Sequence, residues 1–272
     1  MTEEIITAGI DIGSSSAQAV ILKNYRIIAY SNMNTGINKT DTAYRTFDAA
    51  LNGTGIAKEN IKYVVGTGYG RYLVPFADKN VTEITCHALG AHYFFPEART
   101  VLDMGGQDCK AISCDESGRV TNFVMNDKCA AGTGRAMEVI AKLFNIPLED
   151  IGPMSLDIVE TPPQIGSACV VFAKSEALRL LRSGVPINAV LAAYCDSLVR
   201  RVLTLLQRVG VKEELVISGG IAKNTGVVKR IEKSLGIKAH ICHEPQIVGA
   251  AGAALIAQKL FSEPNSNPRI KQ

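Results

Sequence analysis

Nowhere in these 272 residues do eighteen apolar side chains run together, so the sequence offers no membrane span. There is little surplus charge of either sign. The 29 basic and 26 acidic residues leave a net charge of +3, evenly spread, which argues against a nucleic-acid partner. No Cys-x-x-Cys pair occurs and the seven cysteines are odd in number, so no disulfide framework is expected. The opening stretch MTEEIITAGIDIG is acidic and enters a strand at once, unlike a signal or transit peptide; the expected location is cytoplasmic. The composition, 47% hydrophobic and 20% charged, is that of a soluble globular protein with length for about two domains.

What is present is an alternation of strands and helices that starts twice. Residues 5–12, 17–22 and 27–31 read as a three-strand meander, 40–53 as a helix and 61–65 as a buried strand. The pattern restarts with strands at 99–104, 109–114 and 120–125. Laying GIDIGSSSAQAVIL over VLDMGGQDCKAISC puts Asp11 and Asp103 in register, 92 residues apart. Such a duplication points to two like-folded α/β halves facing one another. The first half is placed at 1–97, with an Ala-rich helix at 249–260 returning to it. The second, at 98–248, carries extra helical material between 126 and 208, an irregular connector at 147–163, and a strand at 215–218 that ends in Gly219-Gly220. Residues 261–272 read as a disordered tail.

An aspartate at the end of a buried strand, followed by a glycine turn, has a direct chemical use. Gly13, Gly105 and Gly106 let backbone N–H groups approach phosphate oxygens, and the hydroxyls of Ser14, Ser15 and Ser16 add donors. The carboxylates of Asp11 and Asp103 suit Mg²⁺, which keeps much of its water. One such turn alone is an ordinary strand connection. Two in register, with a third glycine turn further on, are expected to clamp a triphosphate.

The order GIDIGSSS, VLDMGGQD, VISGGIAKNTG, EPQIVGAAGAAL resembles the actin, sugar-kinase and Hsp70 superfamily over nearly the whole chain. The resemblance implies two ribonuclease H-like (actin-like ATPase) halves with a helical insert in the second. It places Gly219, Gly220 and Asn224 near the adenosine of ATP or ADP, and Asp11 and Asp103 near Mg²⁺ and the γ-phosphate. Gln107 then becomes the candidate that orients the attacking water. Gln246, ahead of the Ala-rich helix, is a further candidate to reach the nucleotide. The run Gly66-Thr67-Gly68-Tyr69-Gly70 lacks the spacing and the acidic residue of a dinucleotide loop, and reads as a rim loop of the first half.

Two cysteines stand apart. Cys129, in NDKCAAGTGRAMEVIAKLF, lies in a glycine turn running into an amphipathic helix; Gly132, Thr133 and Gly134 of that turn are also nucleotide-binding candidates. Cys169, in IGSACVVFAKSEALRLLRSG, likewise precedes a helix. A helix N-terminus favours a thiolate. Two half-buried core cysteines would look the same. Two ligands do not complete a tetrahedral or four-iron site, whereas a two-fold dimer would supply four. Cys86, Cys109, Cys114, Cys195 and Cys242 read as core residues, and the His240-Ile241-Cys242-His243 stretch as structural rather than metal-binding.

NDKCAAGTGR together with SACVVFAKSEAL resembles the activator ATPases of 2-hydroxyacyl-CoA dehydratases, a group that also contains ATPase subunits of benzoyl-CoA reductases. The resemblance implies one [4Fe-4S] cluster shared by a homodimer through Cys129 and Cys169. It further implies ATP-driven donation of a low-potential electron, loaded by ferredoxin or flavodoxin, to an iron–sulfur dehydratase or reductase. Lys174 departs from the acidic residue common there. The alternatives are a double-cubane-cluster protein as the partner, a sugar kinase on the same fold with Asp103 as base, and a regulator without turnover.

Overall fold

The structure, a computed structural model, describes residues 4–126, 133–166 and 170–263. The chain begins with a meander of β1 (Ile6–Ile12), β2 (Ser16–Lys23) and β3 (Arg26–Asn34). β1 is buried along its length, whereas β3 alternates between exposed and half-buried residues, as an edge strand does. Asn24 and Tyr25, both at positive φ, turn β2 into β3, the geometry that matches strand twist in a two-residue hairpin. α1 (Lys39–Leu51) starts where the Asn38 side chain accepts the Asp41 N–H. β4 (Tyr63–Thr67) and β5 (Lys79–Asn80) add in parallel, giving the sheet order β3-β2-β1-β4-β5, and α2 (Glu83–Phe94) follows behind its Thr82 cap.

The second cycle runs through β6 (Thr100–Met104), β7 (Cys109–Cys114) and β8 (Val120–Asn126). A helical stretch comes next: α3 (Gly134–Phe144), α4 (Ile151–Leu156), α5 (Val170–Arg182) and α6 (Ile187–Val209). β9 (Leu215–Ser218), α7 (Thr225–Leu235) and β10 (Ala239–His240) complete a sheet of order β10-β9-β6-β7-β8. α8 (Val248–Ser262) then closes the described chain. The two sheets repeat one plan, an antiparallel meander extended by parallel strands beyond its first member, and α3 to α6 are the helical insert anticipated in the second cycle.

By its contacts the chain divides into two units. The first comprises Met1–Ala98, Cys114–Thr121 and Cys242–Gln272; the second comprises Arg99–Ser113 and Asn122–Ile241. Within the first, Ile10, Ile12, Ile21 and Leu22 are fully buried, and α8 packs on β1, β2, β4 and α2. The Gly and Ala content of α8 has a steric cause, since a Cβ at Gly252 would fall 1.8 Å from the Cys86 carbonyl oxygen of α2. Within the second, Leu102, Met104, Ile140, Ile151, Leu191 and Leu198 fill the core, each contributing about 1.5–3 kcal/mol by burial. The Arg230 guanidinium donates to Asp196 Oδ1 (2.6 Å), Ser155 O (2.8 Å) and Gly226 O (3.0 Å), tying α4, α6 and α7 together.

Two details differ from the sequence reading. The final helix runs through Phe261 and Ser262, two residues assigned above to the tail, because the apolar face continues to Leu260. The connector at 147–163 contains a 3-10 turn at Leu148–Asp150 and the helix α4. Among the described residues no helix is long and apolar enough to cross a membrane.

Candidate functional site

In the first unit Asp11 stands near the end of β1, opposite Gln18 of β2 and beside Thr67 of β4 in the parallel register. That pairing delivers the exit of β4 onto the carboxylate. Gly68 has φ +84°, and a Cβ there would lie 2.2 Å from Asp11 Oδ1. On the other side, a Cβ at Gly249 of α8 would lie 2.3 Å from Oδ2. His87 of α2 brings Nε2 to 3.8 Å from the same oxygen, and both side chains are buried. The turn beyond is closed by the Gly13 N–H donating to Ser16 O (3.0 Å). Thr35 braces it, with Oγ1 donating to Gly13 O (3.0 Å) and N–H to Ser15 O (2.9 Å). Ser14, Ser15 and Ser16 remain partly open to solvent.

The second unit repeats the arrangement with different side chains. Asp103 stands opposite Lys110 of β7 and beside Ser218 of β9. The Gly105 N–H donates to Asp108 O (2.9 Å), closing the same turn. Gly219 leaves β9 at φ +84°, and a Cβ there would lie 2.4 Å from Met104 O and 2.9 Å from Asp103 Oδ1. Lys110 is buried with its Nζ 2.8 Å from Asp108 Oδ1 and 3.4 Å from Asp103 Oδ2. A buried ammonium between two carboxylates replaces lost hydration with charge-assisted bonds. Gln107 is exposed at the tip of this turn.

The nearby nucleotide-site candidates distribute as follows. Buried Thr133 stands at the N-terminal boundary of α3, whose first two N–H groups are spoken for: Gly134 donates to Gly105 O (3.0 Å) and Arg135 to Gly106 O (2.8 Å). The start of α3 is thus fastened to the second aspartate turn. Gly220 opens a 3-10 turn at Gly220–Lys223 and is exposed. Asn224 caps α7, its Oδ1 accepting the Val227 N–H (3.0 Å) while Nδ2 donates to Met137 Sδ (3.3 Å). Gln246 lies in the first unit, where its amide bonds Ser16 and Asn32. Cys129, Cys169 and Gly132 lie outside the described residues. α3 starts five residues after Cys129 and α5 at the residue after Cys169, with Lys174 exposed on α5.

The other five cysteines are buried thiols outside any disulfide, as expected. Burial, aided by the charge of Asp11, pushes the Cys86 thiol up to about 12. Burial also lifts Cys195 and Cys242 to about 11, and raises Cys109 beside Asp103 and Asp108. His240 pairs with Glu214 at 2.5 Å, and Cys242 Sγ donates to Glu244 O (3.2 Å). Among the described residues no group of three or more His, Cys, Asp or Glu side chains is placed to hold a metal ion.

The sequence reading missed the companions of the two aspartates. Gly68, set aside in the rim loop, is the first-unit counterpart of Gly219: each follows the strand paired in parallel with the aspartate strand, and each has φ +84°. His87, Lys110 and Gly249 reach the carboxylates across 76, 7 and 238 residues respectively, of which only Lys110 is visible in local register. The signal available was the duplication itself, which places Thr67-Gly68 where Ser218-Gly219 recurs.

Two such units, each with a buried carboxylate between a glycine turn and a positive-φ glycine, define the actin-like ATPase fold. The chain belongs to the BadF/BadG/BcrA/BcrD ATPase family, whose model matches residues 8–257. It is 42% identical over 252 residues to the activator of lactoyl-CoA dehydratase from Anaerotignum propionicum, covering 92% of this chain and 96% of the relative. The crystal structure of (R)-2-hydroxyglutaryl-CoA dehydratase component A from Acidaminococcus fermentans superposes with a TM-score of 0.91 at 38% identity, over 95% of this chain and 100% of that one. The activator of 2-hydroxyisocaproyl-CoA dehydratase from Clostridium difficile, with bound ADPNP, gives a TM-score of 0.89 at 39% identity, over 94% and 96%.

Proposed function

We propose that this chain is an ATP-driven one-electron activator of a 2-hydroxyacyl-CoA dehydratase or a related iron–sulfur reductase. The observation that carries the reading is the doubled carboxylate turn, Asp11 with Gly68 and Asp103 with Gly219, in a chain similar over more than nine-tenths of its length to dehydratase activators. A relative of that kind with bound ADPNP supports nucleotide as the ligand.

In this reading Gly13 to Ser16 and Gly105 to Gly106 offer donors to phosphate oxygens of ATP, and Gly219, Gly220 and the start of α7 at Asn224 serve the adenosine. Asp11 and Asp103 are hard oxygen donors that suit Mg²⁺, which lends positive charge to the phosphates during cleavage. Gln107, exposed at the turn tip, orients water without acting as a base. The bonds from Gly134 and Arg135 to Gly105 and Gly106 give the second turn a direct hold on α3, the helix that follows Cys129. A rearrangement of that turn on hydrolysis therefore pulls on the segment bearing the thiol.

Cys129 and Cys169 from each of two chains make the four thiolates that a [4Fe-4S] cluster requires, and such a cluster would supply the low-potential electron. Ferredoxin or flavodoxin is the proposed electron source. The test is anaerobic: purified protein, MgATP, a low-potential reductant and a 2-hydroxyacyl-CoA dehydratase. Dehydratase activity is expected to appear only with hydrolysable ATP and to vanish with Asp11→Asn. Equal activation without ATP, or ATP turnover that depends on a sugar hydroxyl, would sink the proposal.

A further inference from the structure

Four polar side chains of the first unit form a closed ring behind the Asp11 turn. Gln18 Nε2 donates to Ser16 Oγ (2.9 Å) and to Asn32 Oδ1 (2.9 Å). Asn32 Nδ2 donates to Gln246 Oε1 (3.0 Å), and Gln246 Nε2 returns to Ser16 Oγ (3.2 Å). Gln18 is buried, and the Gln246 N–H is held by Glu244 Oε1 (3.1 Å). The ring thus spans β2, β3 and the segment leading into α8.

Counting hydrogens fixes its direction. A serine hydroxyl has one hydrogen and two lone pairs. If every amide were turned over, Gln18 and Gln246 would both present oxygen to Ser16, which has one hydrogen for two acceptors. One contact would then set lone pair against lone pair. In the direction observed, all four contacts are satisfied. Both acceptor sites of Ser16 Oγ are filled by amide N–H groups, and among the described residues its hydrogen is given to no other group. Donors bonded to an oxygen also strengthen that oxygen's own O–H as a donor.

We infer that Gln18, Asn32 and Gln246 are positioning residues that commit the Ser16 hydroxyl to donating, outward, to a phosphate oxygen of the bound nucleotide. This rests on the nucleotide reading above. It also reassigns Gln246, which acts through Ser16 rather than by touching the ligand. A water molecule donates or accepts freely, whereas a phosphate oxygen only accepts, so a hydroxyl preset as a donor favours the anion.

One isosteric change turns over the Gln246 side of the ring. In Asn32→Asp the side chain has no N–H to give Gln246, whose amide must turn over; Gln246 Oε1 then faces Ser16 and draws its hydrogen inward. ADP and ATP affinity is to be measured for wild type, Ser16→Ala, Ser16→Thr, Asn32→Asp, Asn32→Leu and the Ser16→Ala/Asn32→Asp double variant. Loss of a charge-assisted donor predicts about tenfold weaker binding for Ser16→Ala and for Asn32→Asp. The uncharged break in Asn32→Leu should cost about threefold, and Ser16→Thr, which keeps the hydroxyl, should stay within about twofold. In the Ser16→Ala background Asn32→Asp should add less than about twofold, because its effect runs through the missing hydroxyl. Unchanged affinity in Ser16→Ala overturns this inference alone, as does a full tenfold from Asn32→Asp without the hydroxyl. A wild-type protein that binds no ADP overturns the nucleotide reading and this inference with it.

Discussion

At equivalent places in the two units, Ser16 and Gln18 stand where Asp108 and Lys110 stand. Both pairs brace a turn closed by the same backbone bond, Gly13 N–H to Ser16 O and Gly105 N–H to Asp108 O. Both flank an aspartate whose other neighbour is a glycine at φ +84°. The first brace is neutral, an amide bonded to a hydroxyl at 2.9 Å; the second is ionic, an ammonium bonded to a carboxylate at 2.8 Å. One backbone plan therefore carries two electrostatic solutions. In the first, the hydroxyl keeps its hydrogen for a ligand. In the second, a carboxylate that would repel phosphate is tied up by Lys110, which also leans on Asp103.

This contrast can be broken most forcefully at Lys110. Lys110→Met leaves Asp103 and Asp108 without their buried cation, and urea unfolding should show a loss of about 3–5 kcal/mol. Gln18→Met, the matched change in the first unit, should lose only about 1 kcal/mol, the net worth of neutral hydrogen bonds. Equal losses would mean that the ionic brace is no different in kind. The aspartates come next. Asp11→Asn and Asp103→Asn should each slow ATP hydrolysis on the order of 100-fold in steady-state assays, since in the proposed role each carboxylate serves the transferring phosphate through Mg²⁺. If only one of the two slowed turnover, the units would differ in role as well as in brace.

A smaller effect tests where the units agree. Gly68→Ala and Gly219→Ala each place a Cβ at positive φ against an aspartate oxygen or a carbonyl, and should each lower stability by about 2 kcal/mol in thermal melts. An Ala tolerated at Gly68 but not at Gly219 would break the equivalence of the two turns.

Much of this plan was legible in the sequence because it is local. The strands from β1 to β3 and from β6 to β8 follow from apolar runs and turns, and the aspartate turns from an alignment of the chain with itself. The ring behind Ser16 was not legible. Gln18 and Ser16 are neighbours on β2, but Asn32 arrives by the hairpin register and Gln246 from 230 residues beyond Ser16. A glutamine near a nucleotide segment reads as a nucleotide contact, and no local pattern shows that the Gln246 amide meets Ser16 and Asn32. The role of Gly68 within its rim loop is hidden for a related reason: it comes from the parallel pairing of β4 with β1, and the periodicity of β4 does not reveal its partner. Cys129 and Cys169 are the opposite case, distinctive in sequence and outside the described residues.

The central claim, an ATPase that carries an electron through those two cysteines, is tested most directly by anaerobic purification of wild type, Cys129→Ala and Cys169→Ala, each assayed for iron–sulfur absorption and for ADP binding. The account predicts a brown wild-type dimer with one [4Fe-4S] cluster per two chains, loss of that absorption in either variant, and ADP affinity little changed in both. A full cluster in Cys129→Ala, or a colourless wild type that still hydrolyses ATP, would contradict it.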